Sequence, residues 1–282
     1  MDKHILLPTD FSKNALNAIR YTLDLFSDER CEFYLLHAFT VNGFSLEGSP
    51  MTPAQQYTFE HERDRTRVQL EKLMGMVRLH PKNPLHSFHS MVTGRDLLFV
   101  AKEIIAQKNI SVVALGTKGA TNMDTQVFGT KALELMEHIT QVPVMAVPPT
   151  ANFMGIRKIV LPTDYGSPFH AVTLRPLLDM AYQQAASIHV VYISSKPRLN
   201  RQQQAIKEEL SKILDHHHHS FHILEHDDVA QGIEGYMAMH QSDILVMMRR
   251  KQGFFKKWLG QSLIQQLGAH SKTPMLTFHD NG

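Results

Sequence analysis

Disulfide chemistry is excluded first. The 282-residue chain has one cysteine, Cys31, and a lone thiol at the start of an apolar run builds no disulfide framework. Charge of one sign is also missing. Lysine and arginine number 29 against 27 aspartates and glutamates, for a net +2, which argues against a dedicated nucleic-acid binder and leaves room only for a local basic patch. No apolar run approaches the roughly 20 residues of a membrane-spanning helix. The first residues run into a strand pattern without the apolar core of a signal peptide, so the expectation is a soluble, cytoplasmic protein in a reducing compartment. Metal-ligand spacing is lacking as well. The four consecutive imidazoles of His216, His217, His218 and His219 cannot all face one ion in a regular element, and they read as a helix end and loop. No Ser-His-Asp arrangement stands out, and Cys31 has no evident base beside it.

What is present is enough apolar sequence for two ordinary domains: 43% hydrophobic and 20% charged residues. The pattern alternates. An apolar run at 5–7 ends in Pro8, Thr9 and Asp10, and Pro8 closes it because proline cannot donate to a ladder. Asp10 or Ser12 is then a natural helix N-cap, and Ala15, Ile19, Leu23 and Phe26 recur at helical spacing. A second strand over 31–38 ends at Ala38. A long mixed-charge helix comes next, over 52–79, read as a solvated face with local ion pairs. The third strand, 85–92, carries His86 and His89 on what read as alternating polar positions. Thr93 and Gly94 turn into a helix. A fourth strand covers 110–115, a helix 130–139 and a closing strand 142–147. Strand alternating with helix implies a parallel, doubly wound sheet. In such sheets ligands sit beyond the C-terminal strand ends, where the strand order reverses. Asp10, Gly94, Gly116, Gly119 and Gly129 all fall at or just after such ends.

The stretch from Leu115 to Lys131 carries most chemistry. Gly116 and Gly119 come after the fourth strand, and nine residues later Gly129 and Thr130 open a helix. A glycine loop feeding a helix N-terminus can hold a phosphate through backbone N–H groups and the helix dipole. Thr130 could add a hydroxyl contact or simply cap the helix. An ordinary connection that uses glycine for its φ freedom fits the local pattern equally.

The chain then repeats itself. Leu161, Pro162, Thr163 and Asp164 restate Leu7, Pro8, Thr9 and Asp10, and the same order of elements continues to a closing strand near 273–278. A helix is expected to start near Ser167 and Pro168. The division is 1–150 and 151–282. The second half lacks the glycine loop: Met247, Met248, Arg249, Arg250 and Lys251 stand where the first has Leu115, Gly116, Thr117, Lys118 and Gly119. Gly260 survives, with Gln261 after it in place of Thr130, and Thr93-Gly94 has no counterpart near Asp227 and Asp228. The second half is therefore not expected to bind a nucleotide in the same way. Near 249–258, five cations alternate with Phe254, Phe255 and Trp258. They read as aromatics packed on the domain under solvated cations, or as a surface for single strands or anions.

Gly116, two residues, Gly119, nine residues, then Gly129 and Thr130 resembles the nucleotide signature of the ATP-binding universal stress proteins. The Pro-Thr-Asp strand ends and the duplication extend that resemblance over nearly the whole chain. It implies two five-stranded, Rossmann-like parallel-sheet domains, the N-terminal one binding ATP, or AMP or ADP. The implied contacts are Pro8, Thr9 and Asp10 near adenine and phosphates, Ala38 near the base, and Thr93 and Gly94 on the same rim. Leu115, Gly116, Thr117 and Gly119 would wrap ribose and phosphates, with Gly129, Thr130 and Lys131 on the phosphate chain. Asp10 is also the candidate for a nucleotide-bound magnesium ion, and Asp124 puts an unusual carboxylate in the loop. Family members pair through their last strands, so 142–147 and 274–278 would pair within one chain as a pseudo-dimer, with a further homodimer open. The function implied is nucleotide-linked stress sensing or scaffolding with an unknown protein partner. A slow ATPase or another adenine-nucleotide enzyme is the alternative, and a purely structural pair the third reading.

Overall fold

In the computed structural model, residues 2–39, 52–80, 83–117, 129–196, 198–250, 263, 266–267 and 272–280 are described. The chain divides into two units, Met1–Asn152 and Phe153–Gly282. Unit 1 runs β1 (Lys3–Pro8), α1 (Lys13–Leu25), β2 (Cys31–Ala38), α2 (Pro53–Leu79), β3 (His86–Thr93), α3 (Leu97–Lys108), β4 (Val112–Gly116), α4 (Thr130–His138) and β5 (Val144–Val147). Its strands are parallel in the order β3-β2-β1-β4-β5. Unit 2 runs β6 (Lys158–Pro162), α5 (Ala171–Gln183), β7 (Ser187–Ser194), α6 (Arg201–Leu214), β8 (His219–Glu225), α7 (Val229–His240), β9 (Ile244–Arg250) and β10 (Met275–Asp280). Its order, β8-β7-β6-β9-β10, is the same, and all its pairs are parallel. This is the doubly wound α/β architecture expected, twice over.

The apolar runs build the cores. Ile5, Leu6 and Leu7 are fully buried in β1, as are Ile159, Val160 and Leu161 in β6, because the central strand of such a sheet is covered on both faces. The helices bury one stripe each; α1 sinks Ala15, Ala18, Ile19 and Leu23. Closing strands start one residue after their proline. Pro143 and Pro274 have no N–H, yet each carbonyl still accepts from the neighbouring strand (Val113 and Leu245 N–H, both 3.0 Å).

Two expectations need correction. His86 and His89 are three residues apart, so in a strand they point to opposite faces. His86 reaches the Phe26 carbonyl, while His89 stacks on Tyr34 with ring centres 4.8 Å apart. Helix α5 starts at Ala171 rather than at Ser167 or Pro168. Proline disfavours helical backbone in the residue before it, and Pro168 stays in the connection. The loop at 40–50, the basic aromatic stretch at 251–258, and Gly260 and Gln261 lie outside the described residues.

Both units leave their first strand through the same turn. The Thr9 hydroxyl accepts from Phe11 N–H (3.1 Å) and an Asp10 carboxylate oxygen from Ser12 N–H (3.0 Å). In unit 2 the Thr163 hydroxyl accepts from Tyr165 N–H (3.0 Å), and Asp164 from Gly166 N–H (2.6 Å). Phe11 and Tyr165 sit in the left-handed region, at φ 64° and 51°. Each side chain packs on the ring at the matching position of the second strand: Phe11 on His37 (4.4 Å) and Tyr165 on Tyr192 (5.8 Å). Tyr165 is only 1% exposed, so removing its partner strands an N–H in a dry place. Thr163→Val is expected to cost about 1–3 kcal/mol in urea unfolding, and Thr163→Ser, which keeps the acceptor, much less.

Candidate functional site

The strand order of unit 1 reverses between β1 and β4, so the C-terminal ends of these two strands flank the crevice where such sheets take ligands. From β1 come Pro8, Thr9 and Asp10, and from β4 Leu115, Gly116 and Thr117. Ala38 ends β2, and Thr93 pairs with it at the end of β3. Gly129 is the N-cap of α4 and Thr130 its first residue. The structure therefore gathers every described candidate on one edge, although not all of them are free to meet a ligand. Gly119, Lys118 and Asp124 lie outside the described residues.

Several of these groups are already engaged by the fold. Thr9 is buried; its hydroxyl serves the turn and its carbonyl accepts from His37 Nδ1 at 2.6 Å. A carbonyl can only accept, so His37 carries its proton on Nδ1. Burial pushes the His37 pKa down, more than the Thr9 bond and the Asp10 charge pull it up. Gly94 is a packing glycine. A Cβ there would lie 2.5 Å from Phe59 Cε2 and 3.3 Å from Phe39 Cζ, so the aromatic rings of α2 and the β2 exit occupy the room. The Thr93 hydroxyl accepts from Arg95 N–H (3.1 Å). Lys131, expected on the phosphates, donates to Asp96 (3.0 Å) and Glu134 (2.8 Å) instead. Burial lowers its pKa, but these two carboxylates outweigh burial and raise it.

Gly116 also has a structural reason. A Cβ on it would meet the Asn14 amide at 2.7 Å and the Asn14 backbone carbon at 3.1 Å. Strand register makes unit 2 the comparison. Ile5 pairs with Phe33 and Val112, and Ile159 pairs with Ile188 and Ile244. Gly116 thus corresponds to Met248, Thr117 to Arg249, Thr93 to Leu224 and Gly94 to Glu225. Unit 2 accommodates side chains at these places because α5 starts nine residues after Pro162, whereas α1 starts five after Pro8. Strand β9 then continues to Arg250, still paired with β10. The glycine difference between the units is therefore partly a difference in where a helix begins.

At this rim the fold leaves the Thr117 hydroxyl unmet: the residue is 2% exposed, and its hydroxyl has no hydrogen-bond partner among the described residues. Its N–H donates to Val147 (3.1 Å) and its carbonyl accepts from Gly129 N–H (2.6 Å). That last bond ties the end of β4 to the N-cap of α4 and brings the Thr117 hydroxyl and the first turn of α4 to one rim. Gly129 supplies no side-chain cap, and Thr130, exposed as the first helical residue, does not cap α4 either. Of the N–H groups at this end, Gly129 donates to Thr117 and Ala132 to the Gly129 carbonyl (3.0 Å), which leaves those of Thr130 and Lys131 without an acceptor in the helix. Asn14, His37, Phe59 and Asp96 were not singled out in the sequence; only Asn14, a polar residue on the apolar face of α1, gave any signal there.

A sequence model of the Universal stress protein family matches residues 1–148 and again 155–279. The chain belongs to the universal stress protein family. No curated protein sequence matches it significantly. Among solved structures it is similar to a universal stress protein from Archaeoglobus fulgidus DSM 4304, at 14% identity and a TM-score of 0.69, covering 98% of both chains. A functionally unknown protein from Pseudomonas aeruginosa PAO1 is similar at 12% identity and 0.60, over 99% of this chain and 93% of that one. The cytoplasmic domain of a prokaryotic cation chloride cotransporter is similar at 10% and 0.53, over 98% and 95%. At these identities the likeness is one of fold. No helix among the described residues is long and apolar enough to cross a membrane, and none of their His, Cys, Asp and Glu side chains form a group able to hold a metal ion.

The rim supports two predictions. Gly94→Ala is expected to cost about 1–3 kcal/mol by overpacking, and in a Phe59→Leu background much less. Equal costs in both backgrounds, read by denaturant unfolding, would show that Phe59 is not the obstacle. Asp96 caps α3 through Leu98 and Phe99 N–H and binds Lys131. Burial raises its pKa, but the Lys131 bond and the backbone donors pull it below the ordinary carboxylate value. A carboxyl with a lowered folded pKa contributes stability above its unfolded pKa, about 3.9, and loses it as pH falls through the folded value. Asp96→Asn should remove that acid-dependent loss below about pH 4 while keeping most of the cap at pH 7, measured by thermal unfolding across pH.

Proposed function

We propose that unit 1 binds an adenine nucleotide, ATP or its di- or monophosphate, at the β1/β4 crevice, and that unit 2 does not. The observation that carries this reading is the buried Thr117 hydroxyl at the strand-order reversal, joined through its own carbonyl to the open N-terminus of α4. Leaving a buried hydroxyl unmet costs about 1–3 kcal/mol, a cost that a phosphate or ribose oxygen would offset. The residues of the rim fit such a ligand. Thr130 offers its N–H to phosphates at the first turn of α4, Gly129 holds that turn to the end of β4, and Asp10 brings a carboxylate that could serve nucleotide-bound magnesium. Ala38 and Pro8 supply apolar edges for a base. Thr9, Gly94 and Lys131 act one step back, holding the turn, the packing and the α3–α4 contact. Unit 2 keeps the same fold with the side chains of Met248 and Arg249 where unit 1 has Gly116 and Thr117. The role implied is nucleotide-dependent sensing or scaffolding in a stress response, through a protein partner whose contacts change with the bound nucleotide.

Thr117→Val separates this from a structural role, because its two effects have opposite signs. It removes an unmet hydroxyl, so stability without ligand should stay level or rise. It also removes a donor to a charged oxygen, worth about 1.5–3 kcal/mol, so ATP affinity should fall by about tenfold or more. Calorimetric titration of wild type and variant with ATP, AMP and magnesium-free ATP reads the affinities, and thermal unfolding without ligand reads the stability. No adenine-nucleotide binding by the wild type, or unchanged affinity in the variant, sinks the reading. Phosphate release over many turnovers that Asp10→Ala abolishes would instead favour the enzymatic alternative. Gly116→Val is a poor probe, because its clash with Asn14 would disturb folding by itself.

A further inference from the structure

Unit 2 carries a second polar cluster, away from the rim, between its sheet and α7. His189 on β7 and His222 on β8 lie with ring centres 5.3 Å apart, and His240 at the end of α7 is 6.0 and 5.9 Å from them. The Tyr236 ring stacks on His240 at 4.1 Å, and its hydroxyl meets His189 Nδ1 at 2.7 Å. Lys158 of β6 adds a fixed positive charge, its ammonium donating to the His240 carbonyl at 2.7 Å. We propose that this cluster is an acid-sensitive latch, in which protonation of the imidazoles that join α7 to the sheet of unit 2 releases α7.

Sequence and geometry support this together. Three imidazoles and an ammonium occupy one contact, and their mutual repulsion grows with each proton. Asp243, the carboxylate bonded to the Lys158 backbone, is committed there: one of its oxygens accepts from both Arg157 and Lys158 N–H, at 2.7 and 2.9 Å. Unit 1 shows the contrasting arrangement. By register, Tyr34 stands in the place of His189, Glu32 in that of Ser187 and His4 in that of Lys158. There the Glu32 carboxylate accepts from the Tyr34 hydroxyl (2.6 Å) and lies 3.3 Å from His89, so a protonated His89 meets an opposite charge. Unit 2 has the neutral Ser187 hydroxyl at that place, 3.1 Å from His189 Nε2. Burial, then His222, His240 and Lys158, holds the His189 pKa below the ordinary imidazole value of 6.5; burial, then His240, does the same for His222. The unfolded or opened state therefore takes up more protons than the closed one. Stability from these groups is fully present above pH 6.5 and is lost as pH falls from there toward the folded values.

The test is amide hydrogen exchange of the full chain at pH 7.5 and 5.5, corrected for intrinsic rates. Protection of α7 and β8 should fall by about tenfold for each unit of pKa separation, while α3 and β3 change little. His189→Gln and His222→Gln should flatten this response. Unchanged α7 protection, an equal loss in α3 and β3, or a full response in both variants would overturn the proposal. Should either variant fail to fold, the wild-type exchange pattern decides it alone.

Discussion

The turn that ends the first strand of each unit sets what its rim can become. A non-glycine residue in the left-handed region costs roughly 1–2 kcal/mol, and both Phe11 and Tyr165 occupy it. Two side-chain acceptors and a ring contact offset that cost, since each hydrogen bond contributes about 0.5–1.5 kcal/mol net. Because unit 2 keeps this turn without keeping the glycine rim, Thr9 and Asp10 hold a fold-determining position whatever else they do. The turn fixes the backbone of Asp10, whose carboxylate accepts from Ser12 N–H.

Beyond the turn the two units part. In unit 1, Ser12 caps α1 at once, its hydroxyl accepting from Ala15 N–H at 3.0 Å, and the early start of the helix presses Asn14 against the end of β4. Position 116 then has no room for a Cβ, and β4 must stop and turn. In unit 2 the first helix is delayed by Pro168, and β9 runs on through Met248 and Arg249. One local choice, cap immediately or later, propagates to the far strand.

The alternation of apolar runs made the architecture legible, since a strand buried on both faces needs a continuous apolar run and a covering helix a stripe. The placement of the candidate residues along the fold was legible too, because Gly94, Gly116 and both Pro-Thr-Asp runs fell at strand ends. The reasons for individual residues were not. A glycine announces that a side chain is excluded, without naming the neighbour that excludes it. At Gly94 that neighbour is Phe59, 35 positions upstream, and at Gly116 it is Asn14. Lys131 looked like a phosphate ligand because its partner Asp96 sits on another helix. His86 and His89 were misread by parity alone, which the sequence did contain.

Each unit departs from the shared pattern at a different end of its own strands. Unit 1 ends β4 at Gly116 and balances its histidine with Glu32. Unit 2 carries Met248 and Arg249 at that place and gathers unbalanced imidazoles nearer the strand starts, under the last turn of α7. Neither change disturbs the central strands, where Ile5, Leu6 and Leu7 and Ile159, Val160 and Leu161 stay fully buried. A duplicated sheet is free to differ this way, because burial of β1 and β6 fixes the fold. The strand ends and the helix that covers each edge contribute less to stability and can take on separate tasks.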